Sequence, residues 1–187
     1  MIDFNELNQQ WPHKGIGKNH DLCKAVGVKT YPKVLDATAG LARDAFILAK
    51  LGCEVTMLER HPTIIPFIEQ ALTVFTDDEV RQRMHFYACD ALVFLKDCEL
   101  FDVVYLDPMF PLDNRTALAK KEMQQLQTIV GHDEDSEQLL DLARKKAKQR
   151  VVVKRHKLAP CLANQKPNFS IQGKSTRYDV YLQTALI

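Results

Sequence analysis

The sequence predicts an α/β fold, a mostly parallel seven-stranded sheet with an antiparallel C-terminal hairpin. Three observations carry this. Short Val- and Leu-rich runs alternate with stretches of helical periodicity from Lys33 to Lys154. A small-residue turn joins the first of those runs to a helix. Near the end, two strand-like stretches flank Gly173-Lys174-Ser175-Thr176, a hairpin turn.

Residues 1–32 are polar and punctuated by Pro12, Gly15, Gly17, Gly27 and Pro32, with a short helical pattern around His20–Val26. They are expected to form an arm or lid ahead of a domain spanning 33–187. Lys33–Ala37 is the first strand, followed by a helix through Leu51 that Gly52 ends as a C-cap. Cys53–Leu58 is the second strand. Pro62 opens a helix to about Phe75, with Ile64, Ile65, Ile68, Leu72 and Phe75 at helical spacing. A helical turn starts at Asp77, Met84–Cys89 is the third strand, and a short helix follows Asp90 to Lys96. Phe101–Leu106 is apolar enough for a central, buried fourth strand. A polar helix over about Thr116–Val130, closed by Gly131, precedes a second over Ser136–Gln149. Arg150–Lys154 is the fifth strand, and Asn168–Gln172 and Arg177–Gln183 make the hairpin.

At 187 residues the chain is one domain of ordinary size with enough length for a real core. A net charge of +1 excludes a global cationic field, so a nucleic-acid footprint must be a local patch. The five cysteines (Cys23, Cys53, Cys89, Cys98, Cys161) form no C-x-x-C pair, which argues against a zinc site or a disulfide framework. The N-terminus has no apolar core of a signal peptide, and no stretch is long enough to cross a bilayer. A soluble, cytoplasmic protein without membrane partners is expected.

In parallel sheets of this kind, ligands bind outside the carboxyl ends of the strands. Four successive strands end in acids: Asp36, Glu59, Asp90 and Asp107. After Asp36 comes Ala37-Thr38-Ala39-Gly40-Leu41-Ala42-Arg43-Asp44, a turn with one glycine rather than G-x-G-x-x-G. Its small residues let a ligand approach the backbone, and the N–H groups at a helix start favour a carboxylate. Asp36, Thr38, Gly40 and Asp44 therefore suit a ligand with an amino-acid moiety better than a pyrophosphate, and S-adenosylmethionine (SAM) is such a ligand. The missing glycines argue against a nicotinamide dehydrogenase. Glu59 stands at about the spacing of 20 residues from which an acid holds ribose hydroxyls. Asp90 can accept from an adenine amino group and cap the next helix, with Ala91 donating a backbone N–H. Arg43 and Asp44 sit where the methionine end would lie.

Asp107-Pro108-Met109-Phe110 is the most specific element. An exocyclic nucleobase amine is a poor nucleophile, because its lone pair is spread into the ring. Hydrogen bonds from that amine to Asp107 and the Pro108 carbonyl orient it, while Phe110 stacks on the base. A sulfonium is already a strong electrophile, so alignment and desolvation suffice without a metal or a covalent intermediate. An acceptor-only Asp107 favours guanine, whose N1–H and N2–H₂ are adjacent donors. Cations from Arg144 to Lys157 come with no intervening acid, and Arg115, Lys120 and Lys121 follow the Asp107 motif. They suggest a phosphate backbone as partner, with Lys154 and Arg155 placed best for it.

Asp36–Asp44, Met57-Leu58-Glu59-Arg60, Tyr105–Pro111, Lys120-Lys121-Glu122-Met123 and Val151–Arg155 together closely resemble the bacterial ribosomal small subunit methyltransferase J family. The resemblance runs from about Gly15 to the C-terminus. It implies a Rossmann-like, class I methyltransferase that uses SAM to methylate N2 of a guanosine near the 3′ end of 16S ribosomal RNA. It puts SAM binding on Arg43, Asp44, Glu59, Arg60, Asp90, Ala91 and Asp107. Family members usually carry a further N-terminal segment. They have a second turn glycine where this chain has Ala42, a replacement tolerable if φ stays negative there; they can have Ser-Ser at Asp90-Ala91, and a proline at His156. Competing readings are an amino-methyltransferase on DNA adenine or protein glutamine, and a non-catalytic RNA-binding assembly factor.

Overall fold

The computed structural model describes residues 2–10, 20–108 and 135–183. Among them, seven strands form one sheet: β1 (Lys33–Asp36), β2 (Glu54–Glu59), β3 (Met84–Ala88), β4 (Phe101–Leu106), β5 (Ala147–His156), β6 (Phe169–Gln172) and β7 (Thr176–Leu182). Their order is β3-β2-β1-β4-β5-β7-β6. The pairs among β1 to β5 are parallel, whereas β7 runs antiparallel to both β5 and β6. The chain works outward from β1 to β3, then returns to pair β4 on the other side of β1. That reversal opens a crevice at the carboxyl ends of β1 and β4, and the site is built there.

Side chains of the central strands alternate between two cores, as the period-2 geometry of a strand requires. Val34, Val103, Tyr105 and Val152 pack on one face, with Phe46, Ile64 and Ile68. Leu35, Val104, Leu106, Val151 and Val153 pack on the other, with Leu95, Leu139 and Leu140. The first face is covered by α2 (Asp21–Val26), α3 (Arg43–Lys50) and α4 (Ile65–Val74), and the second by α6 (Ala91–Asp97) and α7 (Ser136–Lys146). Between α4 and β3 a single turn, α5 (Asp78–Arg81), starts on an Asp77 carboxylate that accepts the Val80 N–H. The described residues hold no helix long and apolar enough to cross a membrane.

Three expectations need correction. The described parts of segment 1–32 are built into the core rather than standing off as an arm or lid. Helix α1 (Phe4–Gln9) is capped by Asp3, whose carboxylate accepts the Asn5 and Glu6 N–H groups. It drives the fully buried Phe4 between Phe46 and Phe75, at centroid distances of 5.6 and 5.7 Å. Second, the helix expected to reach Gln149 ends at Lys146, because Ala147 already pairs with Phe101 of β4 and the strand runs on to His156. Third, Ala42 adopts φ +54° rather than a negative value. Its N–H donates to Ala39 O at 2.7 Å, closing the turn before α3, and its methyl group is fully buried. The left-handed backbone costs an alanine about 1 kcal/mol, which that packing offsets. The expected helix over Thr116–Val130 lies outside the described residues.

A core role for Phe4 has a measurable consequence. Phe4→Ala is expected to lower unfolding free energy in urea by about 3 kcal/mol, the usual cost of emptying an aromatic site. A loss within about 0.5 kcal/mol, the range of surface substitutions, would mean that α1 does not share the core's cooperative unfolding.

Candidate functional site

The turn after β1 is stitched to the strands on both sides of it. Ala37 N–H donates to Tyr105 O of β4 at 3.0 Å, and Ala39 N–H donates to Leu58 O of β2 at 2.9 Å. Asp36, at the end of β1, is only 1% exposed and accepts the Thr38 N–H at 3.2 Å. Burial, and then the negative Asp44, push its carboxyl well above the usual range. Gly40 sits at φ +53°, and a side-chain carbon placed there would meet nothing within 4 Å. The space over the turn is open, which is what lets a ligand approach the backbone.

Glu59 bridges two loops. Its Oε2 accepts the Gly40 N–H at 3.0 Å and its Oε1 the His61 N–H at 2.8 Å. Burial raises its carboxyl, and those amides hold the rise back. Beyond β3, Asp90 caps α6 by accepting the Leu92 N–H at 2.8 Å, and it also accepts from Arg60 at 3.0 Å. Burial alone would raise the Asp90 carboxyl, but Arg60 and the helix amides outweigh it and pull it down. Arg60 also pairs with Asp135, so one guanidinium ties β2, α6 and the start of α7 together. Ala91 is the first residue of α6 and only partly buried.

The floor is an ionic cluster. Lys154 Nζ donates to Asp44 Oδ2 at 2.8 Å and to Asp107 Oδ2 at 2.9 Å. Tyr105 O–H donates to the same Asp44 oxygen at 2.6 Å. The Asp107 N–H donates to Thr38 Oγ1 at 2.6 Å, fixing the residue after β4 to the turn after β1. Burial alone would raise Asp44, but Lys154 and Tyr105 hold it below the ordinary carboxylate range. Asp107 stays above that range through partial desolvation and the nearby Asp44, against the pull of Lys154. The ammonium itself is held protonated far above the usual lysine range, since Asp107 and Asp44 outweigh its burial. Asp107 keeps a 39% exposed side chain above this floor, while Pro108 behind it is buried. The acids ending four strands thus share one edge, and their carboxylates are supported from below.

This arrangement matches what known proteins of one kind share. A family model of SAM-dependent methyltransferases matches residues 1–183. Ribosomal RNA small subunit methyltransferase J of Shewanella sp. (strain MR-4) is 47% identical, over all of this chain and 75% of its own length. The protein of the same name from Cellvibrio japonicus is 46% identical, over 92% of this chain and 70% of its own. The crystal structure of a SAM-dependent methyltransferase from Neisseria gonorrhoeae superposes with a TM-score of 0.79 at 35% identity, over the whole chain and 76% of that one. The chain belongs to the ribosomal RNA small subunit methyltransferase J family.

As a member of that family it is a SAM-dependent methyltransferase. The groups on the sheet edge are of a kind that fits SAM: open backbone at Gly40, and carboxylate acceptors at Glu59, Asp90 and Asp107. Arg43 and Asp44, in the first turn of α3, stand beside them. Asp36 holds the turn from below through the Thr38 N–H, and the Thr38 hydroxyl accepts the Asp107 N–H. Phe110, Arg115, Lys120 and Lys121 lie outside the described residues. Two further expectations are corrected. Lys154 is spent on Asp44 and Asp107 rather than facing phosphates. Arg155 is 4% exposed and donates from Nε and a terminal nitrogen to Pro160 O at 3.1 and 2.9 Å, so its charge is turned into the fold. Tyr105 was missed: a lone aromatic hydroxyl in an aliphatic strand needs a buried partner, and that need was the available signal.

Lys154→Met tests the cluster through pH. In the native protein Asp44, with its lowered carboxyl, contributes stability that is present above the unfolded value of about pH 4 and lost as pH falls through the lowered value. Without the ammonium, Asp44 and Asp107 both sit above their unfolded values, and stability then rises as pH falls. Unfolding in urea is expected to show a deficit of about 2 kcal/mol at pH 7.5, discounted from a fully buried pair for the exposure of Asp107. At pH 5 the deficit should shrink by at least half. A deficit that does not change with pH would mean that Lys154 does not neutralise these carboxylates.

Proposed function

We propose that the chain transfers the methyl group of SAM to N2 of a guanosine in 16S ribosomal RNA. The names of its relatives supply ribosomal RNA of the small subunit as the substrate. The observation that carries the rest is Asp107, an acceptor-only carboxylate at the topological switch point, anchored by Thr38 and Lys154 and open to the crevice.

When bound, SAM supplies an electrophilic methyl group on a sulfonium. The residues of this chain supply alignment. Glu59 and Asp90 hold the ribose and adenine, while Arg43, Asp44 and the Gly40 turn take the amino-acid end. Asp107 accepts from the adjacent N1–H and N2–H₂ of guanine, and the Pro108 carbonyl accepts the other amine hydrogen, aiming the nitrogen lone pair along the transfer direction. Methylation makes the amine cationic and it must shed a proton. A carboxylate whose proton affinity is raised, as at Asp107, suits that task better than an ordinary one. Lys154 keeps that carboxylate in place and limits the rise.

Tritiated SAM with unmodified 16S ribosomal RNA, followed by nucleoside mass spectrometry, tests the reading. Label is expected in N2-methylguanosine. Asp107→Asn replaces one acceptor oxygen by a donor and is expected to cut the rate about 100-fold or more, the scale of losing an oriented polar contact to the reacting group. Label in adenine, DNA or protein would overturn it.

A further inference from the structure

Of the cations that sequence reading placed on RNA, Lys154 and Arg155 point inward, and the buried arginines have a different job. Arg155 binds Pro160 O, and Arg177 of β7 donates to Lys157 O at 2.9 Å and Ala159 O at 2.7 Å while pairing through Nε and a terminal nitrogen with Asp179. Three carbonyls of the loop 157–160 are thus gripped from beneath by guanidinium groups. The Lys157 N–H donates to Ser175 O at 2.9 Å, which locks the same loop to the hairpin turn carrying Lys174. A loop held this firmly nevertheless presents Leu158 with 85% of its surface in solvent, flanked by the exposed Lys157 and close to the exposed Lys174.

Its position is equally specific. Leu106 and Val153 are paired across β4 and β5, and Lys154 touches Asp107, so the loop leaves the sheet three residues beyond a contact with the site. On its other side, Ala159 and Pro160 border a groove of about 440 Å³ that also takes in Lys166, Asn168 and the 42% exposed ring of Phe169. Between Leu142 and Tyr178 the chain has no Asp or Glu. Asp21, whose carboxylate lies against Gly173, is paired with Lys24.

We infer that Lys157, Leu158 and Lys174, with the groove reaching Phe169, form the docking surface for the unpaired RNA strand beside the target guanosine. This rests on the RNA-methylation reading above. Lys157 and Lys174 contact phosphates, Leu158 wedges against a base unstacked next to the target, and Phe169 offers a second stacking face. The charge matches a polyanion, and a rigid apolar tip between two cations suits a splayed strand whose bases are exposed. Lys154 stays out of this contact because the site needs it.

Fluorescence anisotropy with a labelled fragment of in vitro transcribed 16S ribosomal RNA tests the inference, with SAM binding followed by calorimetry on the same samples. The double variant Lys157→Ala/Lys174→Ala is expected to make the slope of log affinity against log salt shallower by about 1.4, for two phosphate contacts on a single strand. Leu158→Ser is expected to weaken RNA binding about tenfold with the salt slope unchanged, and Phe169→Ser to do the same. SAM affinity and melting temperature should stay at the parent's values for the lysine and leucine variants, whose side chains are exposed. If the parent binds and methylates the RNA but these variants match it in affinity and slope, the docking surface is overturned while the methyltransferase reading stands. If the parent neither binds nor methylates RNA, both fall.

Discussion

The site depends on one lysine between two aspartates. The strands of a parallel sheet bring their carboxyl ends to one edge, and in this chain β1 and β2 end there in an acid, Asp107 directly follows β4, and α3 adds Asp44. Like charges brought together under partial burial repel, and each would rather be protonated than pay the desolvation. Lys154 resolves this at the deepest point by donating to Asp44 and Asp107 together, with Tyr105 taking a second bond on Asp44. Elsewhere the same problem is met with backbone: Gly40 and His61 amides on Glu59, the Thr38 amide on Asp36, and the first turn of α6 with Arg60 on Asp90. Each acid at the edge therefore carries at least one donor, and the edge can stay anionic enough to receive cationic and hydroxyl-bearing groups.

That electrostatic arrangement needs a stiff support, and the packing supplies it. Alternating side chains from β1, β4 and β5 fill both faces, so the strand ends cannot shift without moving two cores. The N-terminal helices add to this. Phe4, Phe46 and Phe75 form an aromatic cluster under α3, the helix that carries Arg43 and Asp44. The stability of α1 is thereby linked to the placement of those two side chains.

The strands and their order were legible because alternation, apolar runs and turn residues are local signals. The acids at the strand ends were legible for the same reason, since each closes its strand or stands within two residues of its end. What escaped was set by tertiary pairing. Ala147–Gln149 read as helix because Arg144 to Gln149 continue a helical pattern, yet pairing with β4 claims them. Phe4 sits in a short polar stretch, and only the cleft between Phe46 and Phe75 makes it core. Ala42 carries no local mark of a positive φ. Lys154 and Arg155 looked alike in a basic run, but neighbouring residues on a strand face opposite sides. One was therefore sent to the acids of the site and the other to a loop carbonyl.

The same alternation explains why counting positive charges along β5 does not by itself locate a cationic surface. A strand that ends beside an anionic site must dispose of two faces, and here each face consumes a cation for internal purposes. The guanidinium groups of Arg155 and Arg177 are well suited to gripping a loop, because their planar forks satisfy several carbonyls at fixed angles. Lysines, with a single mobile ammonium, are better kept in solvent at the rim. The division is visible in the residues themselves: the buried loop-holders are arginines, and the exposed positions at Lys157, Lys166 and Lys174 are lysines. Rigidity at the base of the loop and adaptability at its surface are then two uses of one basic segment, separated by which way each side chain leaves the backbone.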